Sequence, residues 1–185
     1  MFISAHKDMK RSIRAEECSF SLGAVRASYP DQAQGSLWNL IDGNDTERFI
    51  VSAKGDIGRL KLALIFQFTY PGTPTVYYGD EIGLVGGNPP LNRQCMQWDP
   101  GTWNDDLRGL YSKLAALRSG SPAFTRGTFS ETAANSTHNL YSYERSLERE
   151  TYAVYLNNGD SDVEIAFGQE VYDCLGDENL PSRWT

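Results

Sequence analysis

The hydrophobic period of this chain changes at Pro122, and that change constrains the fold more than any other feature. Before it, apolar residues recur at helical spacing: Ile57, Leu60, Leu64 and Phe68, then Leu107, Leu110, Leu114 and Leu117. After it, residues 140–143, 152–156 and 163–167 alternate as strands do. Asn157-Asn158-Gly159-Asp160 reads as a hairpin turn. A helix-period pattern and a strand-period pattern bury their apolar atoms differently, so the two halves read as different layers of structure.

The punctuation agrees with that division. Asp56 reads as the N-cap of the first helix, and Tyr70-Pro71-Gly72 ends it. Ala63, Ile65 and Phe66 widen its apolar stripe, so this helix is expected to be buried on more than one side. Asn104 or Asp105 caps the second helix, and Gly120 and Pro122 close it. Two short apolar runs, at 37–41 and 75–78, read as buried strands. Residues 36–120 therefore read strand, helix, strand, helix, with the strands parallel. Residues 123–175 read as antiparallel strands. Residues 1–19 are expected as a tail or frayed helix, and 20–27 as the end of a helix stopped before Pro30. The stretch 83–101, with four glycines and three prolines, reads as a long loop.

Composition narrows the function classes. The 185 residues are 40% hydrophobic and 12% aromatic, enough to build a core. The longest apolar run, 60–68, is broken by Lys61 and Gln67, so no membrane span is expected. The net charge of −7 argues against nucleic acid and is compatible with neutral polar ligands such as sugars. Cys18, Cys95 and Cys174 lie far apart with no CxxC spacing and read as free thiols of a reducing, cytoplasmic compartment. His6 and His138 have no ligand-like neighbours in sequence, so no metal site is expected. No phosphate-loop, dinucleotide or nucleophile-elbow motif is present, and no cofactor is expected.

Polar residues cluster just after the expected parallel strands, where βα folds carry their active sites. The first cluster is Asp42-Gly43-Asn44-Asp45-Thr46-Glu47-Arg48. Its three carboxylates and one arginine suit glycoside chemistry, in which carboxylates stabilise an oxocarbenium-like state. The same residues also read as a solvated turn in which Asp45 caps a helix. The second cluster, Asp80-Glu81 after Tyr77-Tyr78, reads equally as a capped strand end. Trp98, Trp103 and Tyr111 offer faces for sugar rings or for core packing.

At these residues a resemblance emerges. Residues 38–49, Trp-Asn-Leu-Ile-Asp-Gly-Asn-Asp-Thr-Glu-Arg-Phe, resemble the motif ending strand seven of the barrel in the α-amylase family of glycoside hydrolases. Residues 62–64, Tyr70-Pro71-Gly72-Thr73-Pro74 and residues 77–83, Tyr-Tyr-Gly-Asp-Glu-Ile-Gly, resemble that family's seventh helix and eighth strand. Gly86-Gly87, Arg93, Met96, Trp98 and Asp99 resemble a loop of neopullulanases, cyclomaltodextrinases and maltogenic amylases. Residues 140–158 resemble the β-sandwich that follows the barrel.

The resemblance implies the last two βα units of a (β/α)8 barrel followed by a truncated antiparallel β-sandwich. It divides the chain into a tail and partial helix at 1–35, a barrel segment at 36–120 and a β domain at 121–185. It implies retaining hydrolysis of α-1,4-glucans or cyclodextrins. Asp45 matches the third catalytic carboxylate, which holds the distorted sugar and is neither nucleophile nor proton donor. Asn44 stands where the family carries histidine, and Arg93 matches a loop arginine that contacts sugar. Arg48, Asp80 and Glu81 join them as candidate substrate-binding residues. Pro89 and Leu91 stand where relatives carry aspartates, and Cys95 where they carry proline. The family's nucleophilic aspartate and acid/base glutamate precede the matched region, and residues 1–19 resemble neither motif. An improvised pair drawn from Asp42, Asp45, Glu47, Asp80 and Glu81 is one way to activity. A homo-oligomer or a separate N-terminal polypeptide is another, and a non-catalytic carbohydrate-binding or assembly module is the alternative. A full barrel takes about 250 residues.

Overall fold

The computed structural model describes residues 2–6 and 9–184, with side chains from residue 13 onward. Its N-terminus departs from the sequence reading. In place of a tail, β1 (Phe2–His6) and β2 (Met9–Ile13) form an antiparallel hairpin, its register setting Phe2 opposite Ile13. The basic residues Lys10 and Arg11 break the hydrophobic alternation that would have announced a strand. The helix that follows, α1 (Ala15–Ala27), ends before Pro30 as expected of residues 20–27, with Glu16 and Glu17 in its first turn and Arg26 in its last. Both placements complement the helix dipole. A short turn of helix, α2 (Asp31–Gln34), leads to the first parallel strand.

That strand, β3 (Trp38–Leu40), pairs in parallel with β4 (Thr73–Thr75), Trp38 opposite Thr73 and Leu40 opposite Thr75. Between them lie the short α3 (Phe49–Ser52) and α4 (Ile57–Thr69). The parallel pairing matches the expectation, but β4 lies earlier than 75–78. Tyr77 and Tyr78 fall beyond it, in the turn that leads to a 3₁₀ segment at Asp80–Ile82. The expectation of a buried first strand is corrected too. Trp38 is 72% exposed and Leu40 56%, because alternation along β3 turns Asn39 toward α4 and leaves its neighbours on the other face.

α4 organises the core. Asp56 caps it, accepting from the Arg59 amide at 3.0 Å. Leu60, Leu64 and Phe68 pack against Leu107, Tyr111 and Leu114 of α5 (Asp105–Gly120), itself capped by Asn104. Ile65, Leu62 and Phe66 pack against Ala15, Tyr141, Tyr143 and Leu156, so α4 is buried on two sides as its wide stripe requires. Gln67, which interrupts that stripe in sequence, is a bolt. Its Nε2 donates to Asn39 O at 3.0 Å and Thr75 O at 2.8 Å, while Asn39 Nδ2 donates back to Gln67 O at 3.1 Å. One buried amide thus ties the helix to both parallel strands.

The last turn of α4 is held by two arginines. Its final carbonyls have no intrahelical partner. Arg145 donates to Thr69 O at 2.9 Å, and Arg118 donates to Phe68 O at 2.6 Å and to Gly72 O. Thr69 Oγ1 meets Tyr143 Oη at 2.6 Å.

After α6 (Ala123–Arg126), β5 (Thr128–Asn135), β6 (Leu140–Leu147) and β7 (Glu150–Asn157) form an antiparallel sheet in the order 5-6-7. β6 and β7 match the alternation at 140–143 and 152–156, but residues 157–160 close no hairpin onto 163–167, which supplies only a two-residue strand paired elsewhere. Two small antiparallel pairs follow: β8 (Ile165–Ala166) with β11 (Arg183–Trp184), and β9 (Val171–Asp173) with β10 (Glu178–Leu180). Arg183 and Trp184 pair through backbone bonds that leave both side chains exposed.

Candidate functional site

The segment after β3 is fixed from three sides. Arg48 is fully buried, and its amide donates to Gly86 O at 2.9 Å. Its Nη1 donates to Asp80 Oδ1 at 2.7 Å. Its guanidinium lies over the rings of Tyr77 and Tyr78, 4.6 and 4.9 Å from their centroids. Asp42, also buried, accepts from the Phe49 amide at 2.6 Å and so caps α3 from seven residues upstream. Asn92, fully buried in the long loop, donates to Gly43 O at 3.0 Å and Thr46 O at 2.7 Å. Gly86 is required where it stands: a Cβ there would lie 2.7 Å from Asn92 Cα.

Asp42 and Asp80 line the same narrow crevice, close enough for each carboxyl to act on the other. Burial pushes the Asp80 carboxyl up to about 8; Asp42 adds to the rise and Arg48 opposes it. The crevice beside the pair, lined by Asp42, Phe49, Asp80 and Tyr111, holds about 10 Å³. That is at most the space of one water, far too small for a sugar ring.

The remaining candidates lie outside this buried cluster. Asn44 and Asp45 are exposed. Arg93 is exposed too, and its Nε donates to Asn44 O at 2.8 Å, which brings the loop arginine to the tip of the strand-end turn. Glu81 accepts from the Gly79 amide at 2.8 Å, the capping role that sequence offered as its second reading. No interaction among the described residues joins Asp45 to Asp80 or Glu81. The geometry gathers Asn44, Asp45 and Arg93 at the surface and sets Arg48 and Asp80 behind them.

The three aromatics separate. Tyr111 is core, Trp103 donates to Gln97 O and carries Arg108 over its ring, and Trp98 is exposed. Asn92 was not a sequence candidate, since a lone asparagine in a glycine-rich loop carries no pattern. Asp42 was read only as an acid for chemistry, whereas its place just before a short helix could have suggested a cap. Among the described residues, no three His, Cys, Asp or Glu side chains converge to hold a metal ion. No helix among them is long and apolar enough to cross a membrane.

Comparison with known proteins agrees with the motif order. Residues 5–113 match the family described as alpha amylase, catalytic domain. A cyclomaltodextrinase of Bacillus sp. is 43% identical over 144 residues, 78% of this chain and 26% of that protein. Neopullulanase 2 of Thermoactinomyces vulgaris is 37% identical over 92% of this chain and 30% of its own length. A solved cyclomaltodextrinase structure superposes with a TM-score of 0.78 at 41% identity, covering 82% of this chain and 26% of that one. The chain spans about a quarter to a third of the relatives it matches.

Proposed function

Because the chain belongs to the α-amylase family of glycoside hydrolases, we propose that it forms the end of such an enzyme's barrel and the β domain that follows. On this reading β3, α4, β4 and α5 are the last two βα units, residues 36–120, and residues 121–185 are a truncated β-sandwich. The substrate is an α-1,4-glucan or cyclodextrin, and the reaction is retaining hydrolysis. Asp45 stabilises the distorted sugar at the transition state, and Asn44 and Arg93 contact it. Arg48 and Asp80 act behind the surface, holding the turn that carries Asp45. Catalysis also needs a nucleophile and an acid/base from residues that this chain does not supply. Free thiols at Cys18, Cys95 and Cys174 fit a cytoplasmic setting.

The observation that carries the reading is the exposed trio Asn44, Asp45 and Arg93 at a parallel strand end, fixed from behind by Asn92 and Arg48. Titration of the isotope-labelled chain with maltotriose is expected to shift the amide resonances of residues 43–46 and 93 at millimolar sugar. Asp45→Asn is expected to weaken that response. Shifts confined to other surfaces, or none, would contradict the assignment.

The open face of β3 favours assembly as a second role. Trp38 and Leu40 are exposed there, and β3 has β4 as its one strand partner among the described residues. Such an edge recruits another strand. Light scattering at tens of micromolar, as an order-of-magnitude concentration, is expected to give a mass above that of a monomer. A stable monomer that binds no hydrophobic dye would count against this role.

A further inference from the structure

The cluster behind Asp45 holds one buried carboxyl, Asp42, one largely buried carboxyl, Asp80, and one buried cation, Arg48. Arg48 makes a single hydrogen bond to Asp80, and its Nε and Nη2 have no hydrogen-bond partner among the described residues. Asp42 uses one oxygen on the Phe49 amide, and its other oxygen, Oδ1, is buried with no N–H donor. Two carboxylates facing each other have no hydrogen to share, and like charges at that range do not both ionise in a buried site. One retained proton resolves the conflict. It makes a hydrogen bond between the carboxyls and leaves one net negative charge against one guanidinium.

We infer that Asp42, Arg48 and Asp80 are positioning residues, in which one proton held between the two carboxyls locks the 42–48 turn onto the 79–86 segment and fixes where Asp45 is presented. The lock has contacts on every side. Asp42 comes from the end of β3 and Arg48 from the start of α3. Asp80 and Glu81 come from the 3₁₀ turn, and Tyr111 from α5. Tyr77 and Tyr78 lie against Arg48, and Arg93 stands near Tyr77. Loss of the proton leaves two charges facing one cation, and their repulsion acts directly on the turn between Asp42 and Arg48. What Asp45 does to sugar rests on the preceding reading; the lock itself does not.

The test is a carboxyl ¹³C NMR titration of the intact chain without sugar, together with hydrogen exchange at the Thr46 and Phe49 amides. One of the two aspartates is expected to titrate at least about two units above the ordinary value of about 3.9. The two amides are expected to exchange at least about tenfold faster, after correction for intrinsic base catalysis, once that proton is lost. In Asp80→Asn the amide still accepts from Arg48 and donates to Asp42. The high transition should vanish and protection should persist at alkaline pH. Two carboxyls titrating in the ordinary range would overturn the proposal, as would protection that ignores the transition. If Asp80→Asn does not fold, the wild-type titration decides alone. A chain that fails to bind maltotriose yet shows the high transition refutes the sugar assignment and keeps the lock.

Discussion

Soluble starch or β-cyclodextrin incubated with the isolated 185-residue chain is expected to yield reducing ends at least about 10⁶-fold more slowly than with a full-length relative. Retaining hydrolysis needs two carboxyls about 5–5.5 Å apart, flanking the bond to be cut. Behind the strand ends, the buried Asp42 and the largely buried Asp80 line a space of about 10 Å³. A glucosyl unit cannot enter it. Asp45 is exposed, with no other carboxyl joined to it. Glu81 is occupied with the Gly79 amide. Asp45 by itself offers charge stabilisation without bond breaking. Asp45→Asn should therefore leave the isolated chain as silent as before. A reducing-sugar assay reads both, and turnover that Asp45→Asn abolishes would show that the chain assembles a complete site by itself.

Replacing Arg145 is expected to cost about 3 kcal/mol or more, a large fraction of a domain's usual 5–15 kcal/mol. Arg145 is 2% exposed and makes no salt bridge among the described residues. It donates instead to three carbonyls, Thr69 O at 2.9 Å, Thr128 O at 3.3 Å and Gly127 O at 3.2 Å. One guanidinium thereby joins the C-terminus of α4 to the start of the β5–β6 pair. Burial, with the neighbouring Arg118, lowers its pKa to about 10. The fork still carries its charge at neutral pH, where the α4 dipole favours it. Arg145→Ala removes the donor from the buried Thr69 O and from two part-buried carbonyls, Thr128 O and Gly127 O; a buried acceptor left unpaired costs about 1–3 kcal/mol. Arg145→Lys keeps the charge but not the fork and should fall between. The midpoint of urea unfolding reads the series. A midpoint for Arg145→Ala within experimental error of wild type would show that the two layers are held by packing alone.

The legible parts of the fold were those written as periodicity and caps. α4 and α5 lie where the leucine stripes put them, and Asp56 and Asn104 cap them as their positions before the stripes predict. β6 and β7 follow the alternation after Pro122, whereas β5 lies outside the alternating segments and 163–167 gives only a two-residue strand paired with β11. β1 and β2 were missed because Lys10 and Arg11 obscure a pattern that backbone pairing alone satisfies. Tyr77 and Tyr78 misled by composition. They are good strand formers, but here they leave the strand to cover a buried arginine. Motif order proposed Asn44, Asp45 and Arg93 as site residues, and of these the structure brings Arg93 to Asn44. The buried network was not. Asn92 and Gly86 act through a backbone amide approach and carbonyl contacts, which leave no spacing rule in the sequence. Arg48 and Asp80 read as substrate-binding candidates, and only the fold shows Arg48 buried and bonded to Asp80 behind the turn.

The central claim is that this chain carries an amylase-family strand end on which Asp45 serves as the charge-stabilising carboxylate. It is tested most directly by grafting residues 20–175 in place of the matching region of a cyclomaltodextrinase and measuring kcat on β-cyclodextrin with and without Asp45→Asn. The graft restores the barrel and supplies the missing nucleophile and acid/base. The account predicts an active graft whose kcat falls about 10²–10³-fold on Asp45→Asn, the usual size of one lost electrostatic contribution. An active graft whose kcat stays within about twofold after Asp45→Asn would contradict it.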